Sequence, residues 1–144
     1  DSTMRIPIKT IRVSVGKAGT ETPTGTWTMH RAGRWQELMG PSWGQYGTHV
    51  VNGIFVHSVA CGQANSYNLP VGEYLRLGNP ASPGCIRACV ADAKWVWDNC
   101  NGSKIHIFDG TYTSNEALKG PLGRKALTPL RGSKNFDPTD PACK

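Results

Sequence analysis

The chain changes its hydrophobic period only once. Val90, Ala93, Val96 or Trp97, and Cys100 recur at helical spacing, and Gly102 follows as a stop. Elsewhere the signals are short alternating runs broken by turns. Ile8 to Val15 alternates apolar and polar residues with period two, which predicts a half-buried strand. Gly16 to Gly19 breaks it, Thr22-Pro23-Thr24-Gly25 reads as a turn, and Thr26 to Met29 resumes the alternation. Thr48 to Ser58 is a second strand region, in which Gly53 marks a bulge or a hairpin turn. Ser103 to Phe108 is a closing strand. The expectation is a mainly β domain, a sandwich or barrel with one main α-helix.

Two segments lack a period. Residues 31 to 47 hold Trp35, Trp43, Tyr46 and four glycines and read as a long ordered loop. Residues 59 to 81 are rich in Gly, Asn and Pro and read as a lid or rim over a binding site. Trp95 and Trp97 cannot share one helix face, so one packs on the core and the other on a neighbouring loop. Residues 1–110 form the expected domain, with 111–144 as a tail wrapping it.

Chemistry concentrates just before the helix. Cys85 stands in Ser82-Pro83-Gly84-Cys85-Ile86-Arg87, and a Gly before a Cys in a tight turn lets the backbone come close to a substrate. A strand ending Ile54-Phe55-Val56-His57-Ser58 delivers a His that can take the thiol proton, because the thiolate is the attacking form. Arg87 can lower the thiol pKa or hold a carboxylate. The competing reading is a buried structural Cys with a core His.

With 144 residues the chain is one domain, and no stretch approaches the roughly 18 apolar residues of a membrane span. It carries no signal-peptide pattern and reads as a processed or excised piece. The formal net charge of +6 favours anionic surfaces in general. No dense basic run, zinc-finger spacing or RNA-binding aromatic motif accompanies it, so nucleic acid is not expected as a partner.

Four patterns in order carry a family resemblance. Thr22-Pro23-Thr24-Gly25 before a Trp-bearing strand, Gly53-Ile54-Phe55-Val56-His57-Ser58, Ser82-Pro83-Gly84-Cys85-Ile86-Arg87, and Val90 to Trp95 together resemble the L,D-transpeptidase catalytic domain, the YkuD family. The resemblance runs from about Ile8 to Phe108, and Gly120-Pro121-Leu122-Gly123 is similar to tail features of some Gram-positive members. Pro83 stands where the family usually has a second His, and the stretch from His57 to Ser82 is longer than usual. Its extra residues are expected to build a lid around Tyr67 and Tyr74.

The resemblance implies Cys85 as nucleophile, His57 as base, Ser58 as the group orienting the imidazole, and backbone N–H groups at Gly84 and Cys85 for the oxyanion. Arg87, Ser82, Trp43, Tyr46 and Tyr74 are the implied substrate contacts. It further implies donor and acceptor stem peptides of peptidoglycan as partners, a 3→3 cross-link formed through a thioester, and carbapenem-type β-lactams as covalent inhibitors. The implied place is extracytoplasmic, in the cell wall or anchored at the outer face of a bacterial membrane, and a monomer is expected. A cell-wall cysteine hydrolase and a non-catalytic wall-binding module remain alternatives.

No cofactor is expected. Cys61, Cys85, Cys89, Cys100 and Cys143 lack the paired spacing of a zinc knuckle, so no metal is expected either. Cys61–Cys89 and Cys100–Cys143 are the expected disulfides, leaving Cys85 free. His30 and His106 read as solvent-facing, and His49 as a lesser candidate for the cleft.

Overall fold

The computed structural model describes residues 8–110 and 126–143; Gly120 to Gly123 lie outside them. The fold is mainly β, with eight strands and two helices among the described residues. Strands β1 (Gly25–Thr28) and β8 (Lys104–Ile107) pair antiparallel. The largest sheet orders β2 (His30–Arg31), β5 (Thr48–Val51), β6 (Ile54–Ser58) and β7 (Ile86–Ala88). Within it β6 and β7 run parallel and the other pairs antiparallel. The β5–β6 connection is a hairpin in which Asn52 takes a left-handed φ of 50°, and a register shift follows His49. Helix α2 (Val90–Asn99) starts two residues after β7, and Gly102 (φ 80°) follows its end.

The core follows from alternation. Met29, Val50, Val56 and Ile86 form one buried cluster, which Val96 and Cys100 of α2 and Trp27, Ile105 and Ile107 of the β1–β8 pair cover. Burying each such side chain contributes about 2 kcal/mol. Ala88, Val90, Ala93 and Tyr46 form a second cluster. Trp97 packs on it, edge to the Tyr46 ring at 5.6 Å, and donates from Nε1 to the Ala32 carbonyl (3.0 Å). Trp95 instead meets Lys9 Nζ, 5.6 Å from its ring centre.

Three expectations are corrected. Ile8 to Val15 forms no strand. The segment meets only isolated partners: Ser14 exchanges both backbone bonds with Arg87 of β7 (2.8 Å each), and Val15 O accepts from Ala81 and Ser82 in the turn before β7. Residues 31 to 47 contain a hairpin, β3 (Trp35–Leu38) with β4 (Ser42–Gln45). Residues 59 to 81 are no rim. They contain a short helix, α1 (Val71–Leu75), and their Val59, Leu69, Tyr74 and Leu77 make a third buried cluster with Cys89. Leu127 and Leu130 pack on that cluster, and Leu69 N–H bonds Asn135 O (2.9 Å).

Candidate active site

The parallel register of β6 and β7 builds the site. Val56 faces Ile86, His57 faces Arg87, and Ser58 faces Ala88. Side chains alternate across a strand, and partners in register point the same way. Val56, Ile86 and Ala88 therefore enter the core. Phe55, His57, Cys85 and Arg87 share the other face, where they line one cleft of about 420 Å³. The β3–β4 hairpin supplies the opposite wall with Leu38, Met39 and Ser42, while Ala60 alone represents residues 59 to 81. The covering role expected of that long segment falls to the hairpin.

His57 is 1 % exposed because β4 lies across it. Only glycine fits at position 44, since a Cβ there would stand 2.6 Å from His57 Nδ1. Nδ1 donates to the Ser58 backbone carbonyl, which fixes the tautomer and leaves Nε2 as the basic nitrogen. The Ser58 hydroxyl is occupied elsewhere, accepting from Gln45 N–H at 2.8 Å. Burial lowers the His57 pKa from 6.5 to about 4, assisted by the Arg87 charge and opposed by the Ser58 carbonyl. The imidazole is thus neutral at neutral pH, with its protonated form disfavoured by burial.

Cys85 Sγ lies 3.5 Å from Phe55 N and 3.5 Å from Gly53 O. Burial raises the thiol pKa, while the Phe55 N–H and Arg87 pull it back. A neutral thiol and a neutral imidazole thus line the same cleft.

The turn before Cys85 is tied from within. Ser82 Oγ donates to Cys85 O (2.5 Å) and accepts from Gly84 N–H (3.0 Å). Gly84 holds φ at 135°, a region that favours glycine, and a Cβ there would meet Ile54 Cδ1 at 2.9 Å. Thr22 Oγ1 accepts from Gly16 N–H (2.8 Å) and donates to Gly84 O (2.7 Å). The Thr-Pro-Thr-Gly turn therefore braces the nucleophile turn across the sheet.

Several residues sit apart from their expected roles. Ser82 is fully buried and shapes the turn, so it offers a substrate no surface. Gly84 N–H is taken by Ser82 and is not free for an oxyanion. Tyr74 is fully buried, with its hydroxyl on Thr128 O (2.8 Å). Tyr46 is buried behind the sheet, under the Arg34 guanidinium 4.0 Å from its ring. Trp43 lies outside the cleft lining and bridges Cys61 through two backbone bonds of 2.8 Å. Arg87 does line the cleft, but Nη1 is paired with Glu73 (2.8 Å); its Nε is buried without a partner among the described residues. His49 packs edge-on against Phe55 and its Nε2 meets Asn52 O (2.7 Å), at the hairpin end. His30 and His106 are exposed.

All five cysteines are free thiols. Cys100 packs on the Val56 cluster, whereas Cys143 N–H bonds Asp140 O in the tail, so the expected Cys100–Cys143 bond does not form. Nor does Cys61–Cys89: their sulfurs turn to Val59 O and the Asp92 carboxylate instead. Among the described residues no cluster of three His, Cys, Asp or Glu side chains is placed to hold a metal.

Sequence reasoning missed Gly44, Thr22 as a brace, and Glu73. The run Ser42-Trp43-Gly44-Gln45 carries a signal for the first, since a glycine inside a strand often marks close approach by another group.

Comparison with known proteins agrees with this geometry. Residues 3–120 match the YkuD L,D-transpeptidase catalytic domain. Among curated proteins none matches at the sequence level. Among solved structures, the chain is similar to an L,D-transpeptidase from Mycobacterium tuberculosis H37Rv (22% identity, TM-score 0.54), covering 69% of this chain and 42% of that one. It is similar to the L,D-transpeptidase (Yku) of Stackebrandtia nassauensis (20% identity, TM-score 0.52; 69% and 44% covered). It is also similar to the LD transpeptidase LdtMt1 in complex with imipenem (23% identity, TM-score 0.52; 70% and 49% covered). The matched region thus spans less than half the length of each of these relatives. A turn-borne cysteine and a strand-borne histidine on one cleft face, together with that match, make the chain a member of the YkuD family of L,D-transpeptidase catalytic domains.

Proposed function

We propose that the protein is a peptidoglycan L,D-transpeptidase working through a Cys85 thioester. The supporting observation is the shared cleft face of Cys85 and His57, set by the β6–β7 register. Cys85 transfers its proton to His57 Nε2, and the thiolate attacks the carbonyl of the third stem residue of a donor. The S–C bond forms and the C–N bond to D-Ala breaks. D-Ala leaves with the proton from His57. An amine on the third residue of an acceptor stem then attacks the thioester, the C–S bond breaks, and the amine's proton passes through His57 to the departing Cys85 sulfur, restoring the thiol and the neutral imidazole. The product is a 3→3 cross-link. Water in place of the amine gives a carboxypeptidase through the same intermediate.

Ser58 orients the imidazole through its carbonyl. Arg87, which lines the cleft, supplies a positive charge for a substrate carboxylate. An activated Cys85 of this kind is also expected to open a carbapenem, as the imipenem complex of LdtMt1 suggests. On this reading the protein works outside the cytoplasm, at the cell wall, and as a monomer. The test is intact mass after exposure to imipenem, with the adduct mapped to Cys85, followed by muropeptide analysis with and without acceptor. Cross-linked dimers support the transpeptidase, shortened stems alone support the hydrolase, and an unmodified Cys85 overturns both.

A further inference from the structure

The tail carries two aspartates that are almost fully buried, Asp137 (2 % exposed) and Asp140 (3 %). Neither belongs to the cleft lining. Buried carboxylates need donors, and each finds them in an element next to the site.

Helix α2 begins at Cys89, whose side chain makes no capping bond. The tail supplies the missing acceptors. Asp137 Oδ2 accepts from Val90 N–H (2.8 Å), and Thr139 Oγ1 accepts from Ala91 N–H (3.0 Å). Asp137 Oδ1 holds Thr139 in place through its N–H (2.8 Å) and hydroxyl (2.6 Å). These bonds cap from a distance the helix that directly continues the nucleophile strand.

Asp140 reaches the other half of the site. Its Oδ2 accepts from Gln45 Nε2 (2.8 Å) and its Oδ1 from Ala142 N–H (2.8 Å). Gln45 is itself 3 % exposed, and its backbone N–H donates to Ser58 Oγ (2.8 Å). The Ser58 carbonyl accepts a hydrogen bond from His57 Nδ1–H, and Gly44, beside Gln45, roofs the imidazole. We infer that Asp140 is a positioning residue: through Gln45 and Ser58 it fixes His57, while Asp137 fixes the α2 end of the nucleophile strand. A carboxylate is needed because both oxygens accept an N–H. Misplacement of a catalytic group by about 1 Å suffices to cost rate.

The inference rests on the reading that Cys85 and His57 carry the chemistry, and the experiment separates the two. The full chain is compared with Asp140→Ala, Gln45→Glu, and the exchanged pair Gln45→Glu with Asp140→Asn. In the pair, Glu at 45 accepts from the new amide, whose oxygen still accepts from Ala142 N–H. Two readouts are taken on variants that circular dichroism shows to be folded. One is acylation by imipenem, resolved into kinact and KI. The other is the His57 Nδ1–H proton resonance, which needs no reaction.

Each single variant is expected to lower kinact at least tenfold with KI within twofold, and to lose the Nδ1–H resonance to solvent exchange. The exchanged pair is expected to recover both, to within threefold for kinact. If Asp140→Ala does not fold, Asp140→Asn replaces it, with an expected fall of about threefold. Single variants that keep kinact or the resonance overturn the inference, as does an exchanged pair no better than its singles. If the wild-type protein is not acylated at all, the transpeptidase reading fails, and the resonance alone decides the positioning role.

Discussion

The two faces of the β6–β7 ladder come from adjacent residues and obey opposite rules. On one face Val56, Ile86 and Ala88 are closed off by α2 and the β1–β8 pair. That face is apolar except for Ser58, whose buried hydroxyl accepts from Gln45 N–H, and it stabilises the fold mainly by burial. On the other, Phe55, His57, Cys85 and Arg87 line a cleft, where His57 Nδ1 and Cys85 Sγ meet backbone atoms and Arg87 Nη1 meets Glu73. Burial opposes the charged form of His57, so this face costs stability only in acid. One ladder of backbone bonds serves both, so the packed face sets the placement of the reactive one.

The sharpest separation is expected from Cys85→Ala. Acylation and transfer disappear, while the melting temperature moves by no more than about 4 °C, roughly 1 kcal/mol for a domain of this size. Loss of folding in the variant would mean that the cleft face also carries structure.

Acid provides the next largest effect. The folded His57 pKa is about 4 against 6.5 when exposed. Between those values the unfolded chain binds the extra proton, so stability falls as pH drops from 6.5 toward 4 and is fully present above 6.5. The loss amounts to about 3 kcal/mol. Denaturant titrations of wild type and His57→Asn across that window measure it: the wild-type slope should be steeper. Equal slopes would mean the imidazole is not desolvated.

Gly44→Ala attacks the cleft face from outside. The new methyl would sit 2.6 Å from Nδ1, so His57 must shift. A fall in imipenem acylation of about a hundredfold is expected, about 2.7 kcal/mol in the barrier. Unchanged kinetics would show that the hairpin yields instead. Val56→Ala is the mirror experiment and the smallest effect. It should cost about 2 kcal/mol of stability and leave acylation within threefold, read by thermal melts beside the same assay.

The cleft face was more legible in the sequence than its surroundings. Cys85, Gly84 and His57 announce themselves because a turn and a strand end are local events, and the helix behind them because its period is unbroken from Val90 to Cys100. The roles of Tyr46 and Tyr74 were not legible. Whether an aromatic lines a cleft or fills a core depends on what packs over it, and here Trp97 and Leu77 do. The β3–β4 hairpin was hidden because its alternation is carried by Gly44 and its Trp residues. Ile8 to Val15 showed a true alternation, but a strand needs a run of paired residues, and this segment bridges β7 at Ser14 alone. The Asp137–Asp140 stretch reads locally as a turn, and its hydrogen bonds to Val90 and Gln45 cross 47 and 95 residues.

Those separations bear on how the chain assembles. β1 finds its partner β8 only across 80 residues, Thr26 against His106, and α2 waits for Asp137 to complete its first turn. Pairings this distant demand early loop closure, which places folding toward the slow end, in milliseconds to seconds. Until residues 104–107 are available, β1 has an unpaired edge open to other chains. A nascent or unfolded chain therefore carries at β1 a strand edge that stays open to other chains until β8 arrives.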